Sequence, residues 1–252
     1  MRYFFDISYH GKNYHGWQIQ PDAITVQEVL QQTMSTFFRT PLAITGAGRT
    51  DTGVHAKQLY FHVDVDAISN REATRFKLNR FLPKDISIQN IIPVTPDAHA
   101  RFDATSRTYE YWITLDKNPF LQETAWQLHR TPDIDRMNTA AAILLEHQDF
   151  ECFSRTHSNV KTFLCDIQKA HWQQRGQLLI FTITADRFLR NMVRAIVGTL
   201  MDIGLQKQAV EDFRRILASG DRTQAGASAP AHGLYLTEVQ YPDHIFLKQH
   251  AD

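Results

Sequence analysis

One stretch of the chain concentrates residues able to do chemistry. GAGRTDTGVHAKQ (46–58) sets a single carboxylate, Asp51, in a run of glycines and small polar residues, two positions after Arg49 and two before Gly53. Glycines between two strand-like runs allow unusual backbone angles and let a large ligand come close. A carboxylate in such a loop can act as nucleophile, base or counter-charge to a developing cation. It can equally cap a tight turn by accepting hydrogen bonds from neighbouring amides, and composition alone does not choose. Phosphate cradling is the weaker reading, because no GK[ST] follows the glycines. His10, His15 and His55 form no metal-ligand pattern, so solvent-facing or core hydrogen-bonding roles are expected of them, and no metal.

The bulk numbers bound what such a loop can serve. The chain has 252 residues, 43% hydrophobic and 21% charged, as in an ordinary globular protein with room for two compact halves. Its 27 basic residues balance 27 acidic ones, which argues against an indiscriminate, strongly basic nucleic-acid binder. A local basic groove stays open, because attraction to a polyanion depends on how charges cluster. The arginines do recur in particular segments: Arg49; Arg101 and Arg107; Arg187, Arg190 and Arg194. No apolar run approaches the roughly 20 residues that span a bilayer. The start, MRYFFDISYH, turns polar too soon for a signal peptide. A cytoplasmic location without membrane contact is therefore expected, with Cys152 and Cys165 as buried, reduced thiols.

Stepping outward from the loop, the first half reads strand, helix, strand, strand, helix, strand. RYFFDISY (2–9) is a partly alternating aromatic strand, followed by a loop with two glycines and a proline. Thr25 opens a helix with Glu28 three residues on as a capping box, and Val26, Val29, Leu30, Met34 and Phe37 share one face. Strands follow near 42–47 and at 59–65, a helix at 70–82 stops before Pro83, and 85–94 closes the half as a strand. The second half opens with the strand RTYEYWITL (107–115). Pro132 marks the first turn of an Ala/Leu-rich helix, strands lie near 163–173 and 178–184, two helices follow, and 233–241 is a last strand. The expectation is an α+β fold with two related halves, 1–103 and 104–252. Each half would be a mainly antiparallel sheet of about four strands covered by helices, with a central active-site cleft.

GRTDTGVHA resembles the catalytic loop of the tRNA pseudouridine synthase family. YHGKNYHGWQIQP (9–21), TVQEVLQ (25–31), AHARFDATSRTYEY (98–111), FLRNMVRAIVGTL (188–200) and GLYL (233–236) resemble that family's other motifs, in its order and over nearly the whole chain. The match is nearest to the branch that modifies the anticodon stem-loop. Thr52 stands where the family usually has alanine, and Arg190 where histidine, tyrosine or lysine is more usual.

The resemblance implies an isomerase that converts uridines 38, 39 and 40 of tRNA to pseudouridine, working as a homodimer whose subunits share the tRNA. The reaction breaks N1–C1′, turns the uracil and joins C5 to C1′. It involves no redox change or net hydrolysis, so no cofactor is required. Asp51 is implied as the catalytic carboxylate, attacking C1′ or taking a proton from C2′, as carboxylates meet developing positive charge in glycoside chemistry. Arg194 is implied as its ion-pair partner, favouring the ionised form; outside the family context it reads as a helix-surface salt bridge. Tyr109 is implied as the aromatic that stacks on the target uracil, with its hydroxyl a candidate for proton transfer at C5. Tyr111, on the same strand face, keeps the reading of Tyr109 as an ordinary core aromatic open. Arg49, Arg101 and Arg107 are candidate phosphate or sugar contacts, and Arg187 and Arg190 would extend the basic surface. Without a role for Asp51, the same surface would suit a non-catalytic RNA-binding module. A carboxylate hydrolase is disfavoured, because the loop lacks a second acid to protonate a leaving group.

Overall fold

The computed structural model describes residues 1–155 and 160–247, a mixed α/β chain with mostly antiparallel strand pairing. Contacts divide it into two compact units: Met1–Thr105 with the chain from Leu236 onward, and Ser106–Tyr235. Among the described residues, no helix is long and apolar enough to cross a membrane.

In the first unit, β1 (Arg2–Tyr9) lies between β3 (His55–Asp64) and β4 (Ile86–Pro93), antiparallel to both. The short β2 (Thr45–Gly46) pairs with β3. Alternation gives the sheet two faces. Phe5 and Phe61 stack at 5.0 Å on one face, among fully buried Ile7 and Ile88. The other face carries Phe4, Asp6, Tyr60 and His62, and Tyr241 packs edge-on against Phe4. Helix α1 (Val26–Phe38) starts where expected, with the Thr25 hydroxyl accepting from the Glu28 amide. Its buried residues are Val26, Gln27, Leu30 and Met34, whereas Val29 and Phe37 are only half-buried. Gln27 goes inside because its amide is satisfied there, accepting from Ile19 N–H and donating to the Ile44 carbonyl. Helix α2 (Arg71–Phe81) is capped by Asn70 and tied to β4 by Asn79, whose side chain bonds both the N–H and the carbonyl of Ile88.

The second unit is built on β5 (Ser106–Thr114), β8 (Leu178–Ala185) and β7 (Ile167–Arg175), in that order and antiparallel; the two-residue β6 (Trp126–Gln127) adds to β5 in parallel. Helix α3 (Ile134–Ile143) is fastened to β7 by Asn138, which bonds both the N–H and the carbonyl of Trp172. Helix α4 (Met192–Gly204) is buried at nearly every position and forms the centre of this unit's core, and α5 (Val210–Ser219) ends at Gly220 in the left-handed conformation.

Several expectations need correction. Pro132 precedes α3 rather than opening it, because Asp133 takes the N-cap and accepts from the Arg136 amide. The helix expected from Phe188 begins only at Met192, where Asn191 turns into the left-handed region. The strand expected near 42–47 shrinks to two residues, and β3 begins four residues earlier than its alternation suggests. The final strand, β9 (Leu234–Gln240), is expected with the second half, but from Leu236 onward it belongs to the first unit, where it neighbours β3 and the Val239 amide donates to Gln58.

Candidate active site

The Asp51 loop is held from beneath by the segment that follows β1. The Tyr9 and Thr50 hydroxyls share a buried 2.8 Å hydrogen bond. Trp17 N–H donates to the Thr50 carbonyl at 3.2 Å, and Gly53 N–H to the Tyr14 carbonyl at 3.3 Å. Val54 N–H closes the turn on the Asp51 carbonyl at 3.1 Å. Two glycines make this approach possible. Gly16 has φ +85°, and a Cβ there would lie 2.3 Å from the Thr50 carbonyl oxygen. A Cβ on Gly11 would lie 2.0 Å from the Val54 carbonyl oxygen. The same segment is anchored to α1, since Val26 N–H bonds the Gly16 carbonyl and Gln27 N–H the Trp17 carbonyl. The carboxylate thus sits on a loop whose backbone is fixed on both flanks, while its side chain remains half-exposed.

Solvent-facing or core hydrogen-bonding roles are expected of the histidines, and both occur. His55 is buried and its Nδ1 accepts the Gly11 N–H at 2.9 Å, with His10 packed 4.3 Å away, centroid to centroid. Accepting at Nδ1 places the ring proton on Nε2. His15 is exposed.

The predicted site residues divide between the units. Arg49, Asp51 and Arg101 lie in the first; Arg107, Tyr109, Arg187, Arg190 and Arg194 lie in the second. Arg49 is exposed and donates from Nε to Gln18 at 3.1 Å, so it belongs to the Asp51 loop. Arg101 is exposed with its guanidinium 5.6 Å from the Phe102 ring.

In the second unit, β5 separates its two tyrosines by environment. Tyr111 is fully buried and donates to the Pro230 carbonyl at 2.8 Å, and burial pushes its phenol well above the ordinary range. Tyr109 is half-exposed, with its ring edge-on to Phe188 at 5.2 Å. Tyr111 is thus the core aromatic of the pair. Arg107 donates to the Asp186 carbonyl at 2.7 Å, and Arg187 N–H to the Asp186 carboxylate at 2.7 Å. Arg190 is exposed, and its carbonyl accepts from Arg155 N–H.

Arg194 stands on the first turn of α4. Its Nε donates to the Ala229 carbonyl at 2.7 Å, while Ala229 N–H returns a 2.9 Å bond to the Arg194 carbonyl. That reciprocal pair fixes where the side chain leaves the helix. The 225–229 segment is itself secured: Arg222 donates to the carbonyls of Ala225 and Gly226 and to the Ser228 hydroxyl, and Asn191 donates to Ser228. These supporting residues escape a sequence reading because nothing in their types or spacing announces them. The glycines of YHGKNYHGW were a usable signal for the bracing segment.

Comparison with known proteins agrees with this arrangement of motifs. The family model described as tRNA pseudouridine synthase matches residues 7–103 and 140–242. A tRNA pseudouridine synthase A of Parabacteroides distasonis is 49% identical over 246 residues, covering 97% of this chain and 98% of the relative. That of Bacteroides thetaiotaomicron is 49% identical over 251 residues, covering 98% and 93%. A more distant one, from Francisella tularensis subsp. holarctica, is 37% identical over 249 residues, covering 98% and 96%. The chain belongs to the tRNA pseudouridine synthase family, and is accordingly an isomerase.

Proposed function

We propose that this protein converts uridines 38, 39 and 40 of the tRNA anticodon stem-loop to pseudouridine, with Asp51 as the essential carboxylate and no cofactor. The observation that carries the reading is the Asp51 loop: a lone carboxylate, half-exposed, on backbone fixed by Tyr9, Tyr14, Gly16 and Trp17. Rigid placement of one charged group suits a reaction in which positive charge develops on a sugar carbon. Asp51 would attack C1′, to be displaced later by C5, or take the C2′ proton and later return it; N1–C1′ breaks, the uracil turns, C5 bonds C1′, the C5 proton is lost and N1 gains one. Arg194 would pair with Asp51, and Tyr109 would stack on the uracil and take part in the C5 proton transfer.

The target base must leave its stack, at a cost of a few kcal/mol. Arg49, Arg101, Arg107, Arg187 and Arg190 are assigned to the phosphate and sugar contacts that offset it. Recognition of shape and backbone rather than base edges fits an enzyme acting on neighbouring uridines. A cytoplasmic homodimer of two-part subunits, each unit a related sheet-and-helix half, completes the reading.

Incubating the protein with unmodified tRNA, followed by carbodiimide adduct mapping of the product, tests it. New pseudouridine at positions 38–40 without added cofactor is expected. Modification confined to other positions, or none, overturns the assignment.

A further inference from the structure

Helix α2 bears a surface that the reaction does not use. Residues 71–84 carry five cations, Arg71, Arg75, Lys77, Arg80 and Lys84, against one acid, Glu72. In a chain with zero net charge that is a strong local excess. None of the five cations hydrogen-bonds or pairs with an acid among the described residues. Helical spacing sorts them. Leu78 turns inward, while Phe76 and Arg80 form one exposed row and Lys77 and Phe81 the row beside it; Lys84 is exposed just past the helix end, after the extended Leu82. Phe76 is 63% and Phe81 58% exposed, an unusual state for two large aromatics on one short helix. Phe81 meets Phe37 edge-on at 6.0 Å, and Phe37 meets Phe38 at 5.0 Å, so the aromatic surface continues onto the end of α1 beside exposed Arg39.

We infer that this face of α2 is a second RNA-binding surface, separate from the Asp51 loop, with its cations on phosphates and Phe76 against an unstacked base or ribose of the tRNA. The inference rests on tRNA being the substrate. Charge decides between partners. Two copies meeting face to face through this patch would oppose like charges, and lysine is depleted at protein–protein interfaces. Cations interleaved with exposed aromatics are the pattern of nucleic-acid surfaces, where counterion release and stacking supply the affinity. Burying the patch against RNA also satisfies Lys77, Arg80 and Lys84, charges that the fold itself leaves to water.

The test compares wild type with Lys77→Ala/Arg80→Ala/Lys84→Ala and, separately, Phe76→Ala, measuring anisotropy of fluorescent unmodified tRNA across a potassium chloride series. All four positions are exposed, and circular dichroism checks that both variants remain folded. The triple variant is expected to bind about 10-fold more weakly at moderate salt, with the log Kd against log salt slope reduced by about 2. Phe76→Ala is expected to weaken binding about 5-fold or more without changing that slope. Wild-type slope and affinity in both variants, beside normal pseudouridine formation by wild type, overturn the inference and leave the proposed function standing. A changed sedimentation coefficient with unchanged tRNA binding assigns the patch to a protein partner and overturns it as well. Failure of wild type to bind or modify tRNA at all overturns the proposed function instead.

Discussion

Arg194 offers a sharp test at the scale of a single residue. Its stem is held by Ala229 from both backbone and side chain, so truncation removes a charge from a fixed place rather than from a mobile surface chain. Arg194→Ala is expected to lower single-turnover rate about 100-fold or more, the scale of losing one preorganised electrostatic partner. A rate within two-fold of wild type would show that the guanidinium is not coupled to the chemistry. Among the residues read from sequence, Asp51 stands out through the resemblance of GRTDTGVHA to the family's catalytic loop, since by composition alone an acid among glycines can equally cap a turn. Tyr109 and Tyr111 could not be separated that way, since alternation puts both on one face. Only tertiary packing shows that Tyr111 is sealed against Pro230 while Tyr109 keeps exposure. Arg222, Asn191 and Ser228 were illegible for a related reason: their work is to hold other residues.

At the scale of elements, the Asp51 loop depends on the segment behind it. Gly16→Ala forces a side chain into left-handed backbone and against the Thr50 carbonyl. A stability loss of about 1–3 kcal/mol in urea is expected, with a larger fall in turnover than in tRNA affinity. Unchanged turnover would mean the loop tolerates displacement.

The sheet's opposite face carries two titrating groups with opposed effects. Burial raises the Asp6 carboxyl to about 6, and one of its oxygens has no hydrogen-bond partner. Burial lowers His62 to about 4, and its Nδ1 accepts from the Ala100 amide. Between about pH 4 and 6 the folded state keeps the Asp6 proton that the unfolded chain has lost, so this group's contribution falls as pH rises. Over about pH 4 to 6.5 the unfolded chain binds a His62 proton that the folded state does not, so that contribution falls as pH drops. The two slopes oppose each other. Asp6→Asn should therefore be more stable than wild type at pH 7–8, by about 1–2 kcal/mol after solvent screening, and should lose stability more steeply on acidification. Parallel stability curves for variant and wild type from pH 4 to 8 would refute this. Strand and helix positions were largely legible from periodicity and capping, as at Thr25. Errors fell where a local rule was overridden: buried Gln27 finds partners across the unit, and Asn191 delays α4 by adopting a left-handed turn.

At the scale of the whole molecule, the proposed assembly predicts sedimentation at twice the 29.1 kDa chain mass at micromolar concentration; a monomer at every concentration would remove the dimer from the account. Zero net charge hid what matters here, because a sum over 252 residues conceals the basic face of α2. The course of β9 was hidden as well: which unit a terminal strand joins is set by hydrogen bonding far along the chain, as between Val239 and Gln58. The central claim is that Asp51 performs the reaction, and tritium release from [5-³H]uridine-labelled tRNA tests it most directly. Wild type should release tritium without added cofactor, while Asp51→Asn should release none and bind tRNA within a few-fold of wild type. Undiminished release by Asp51→Asn would contradict the account.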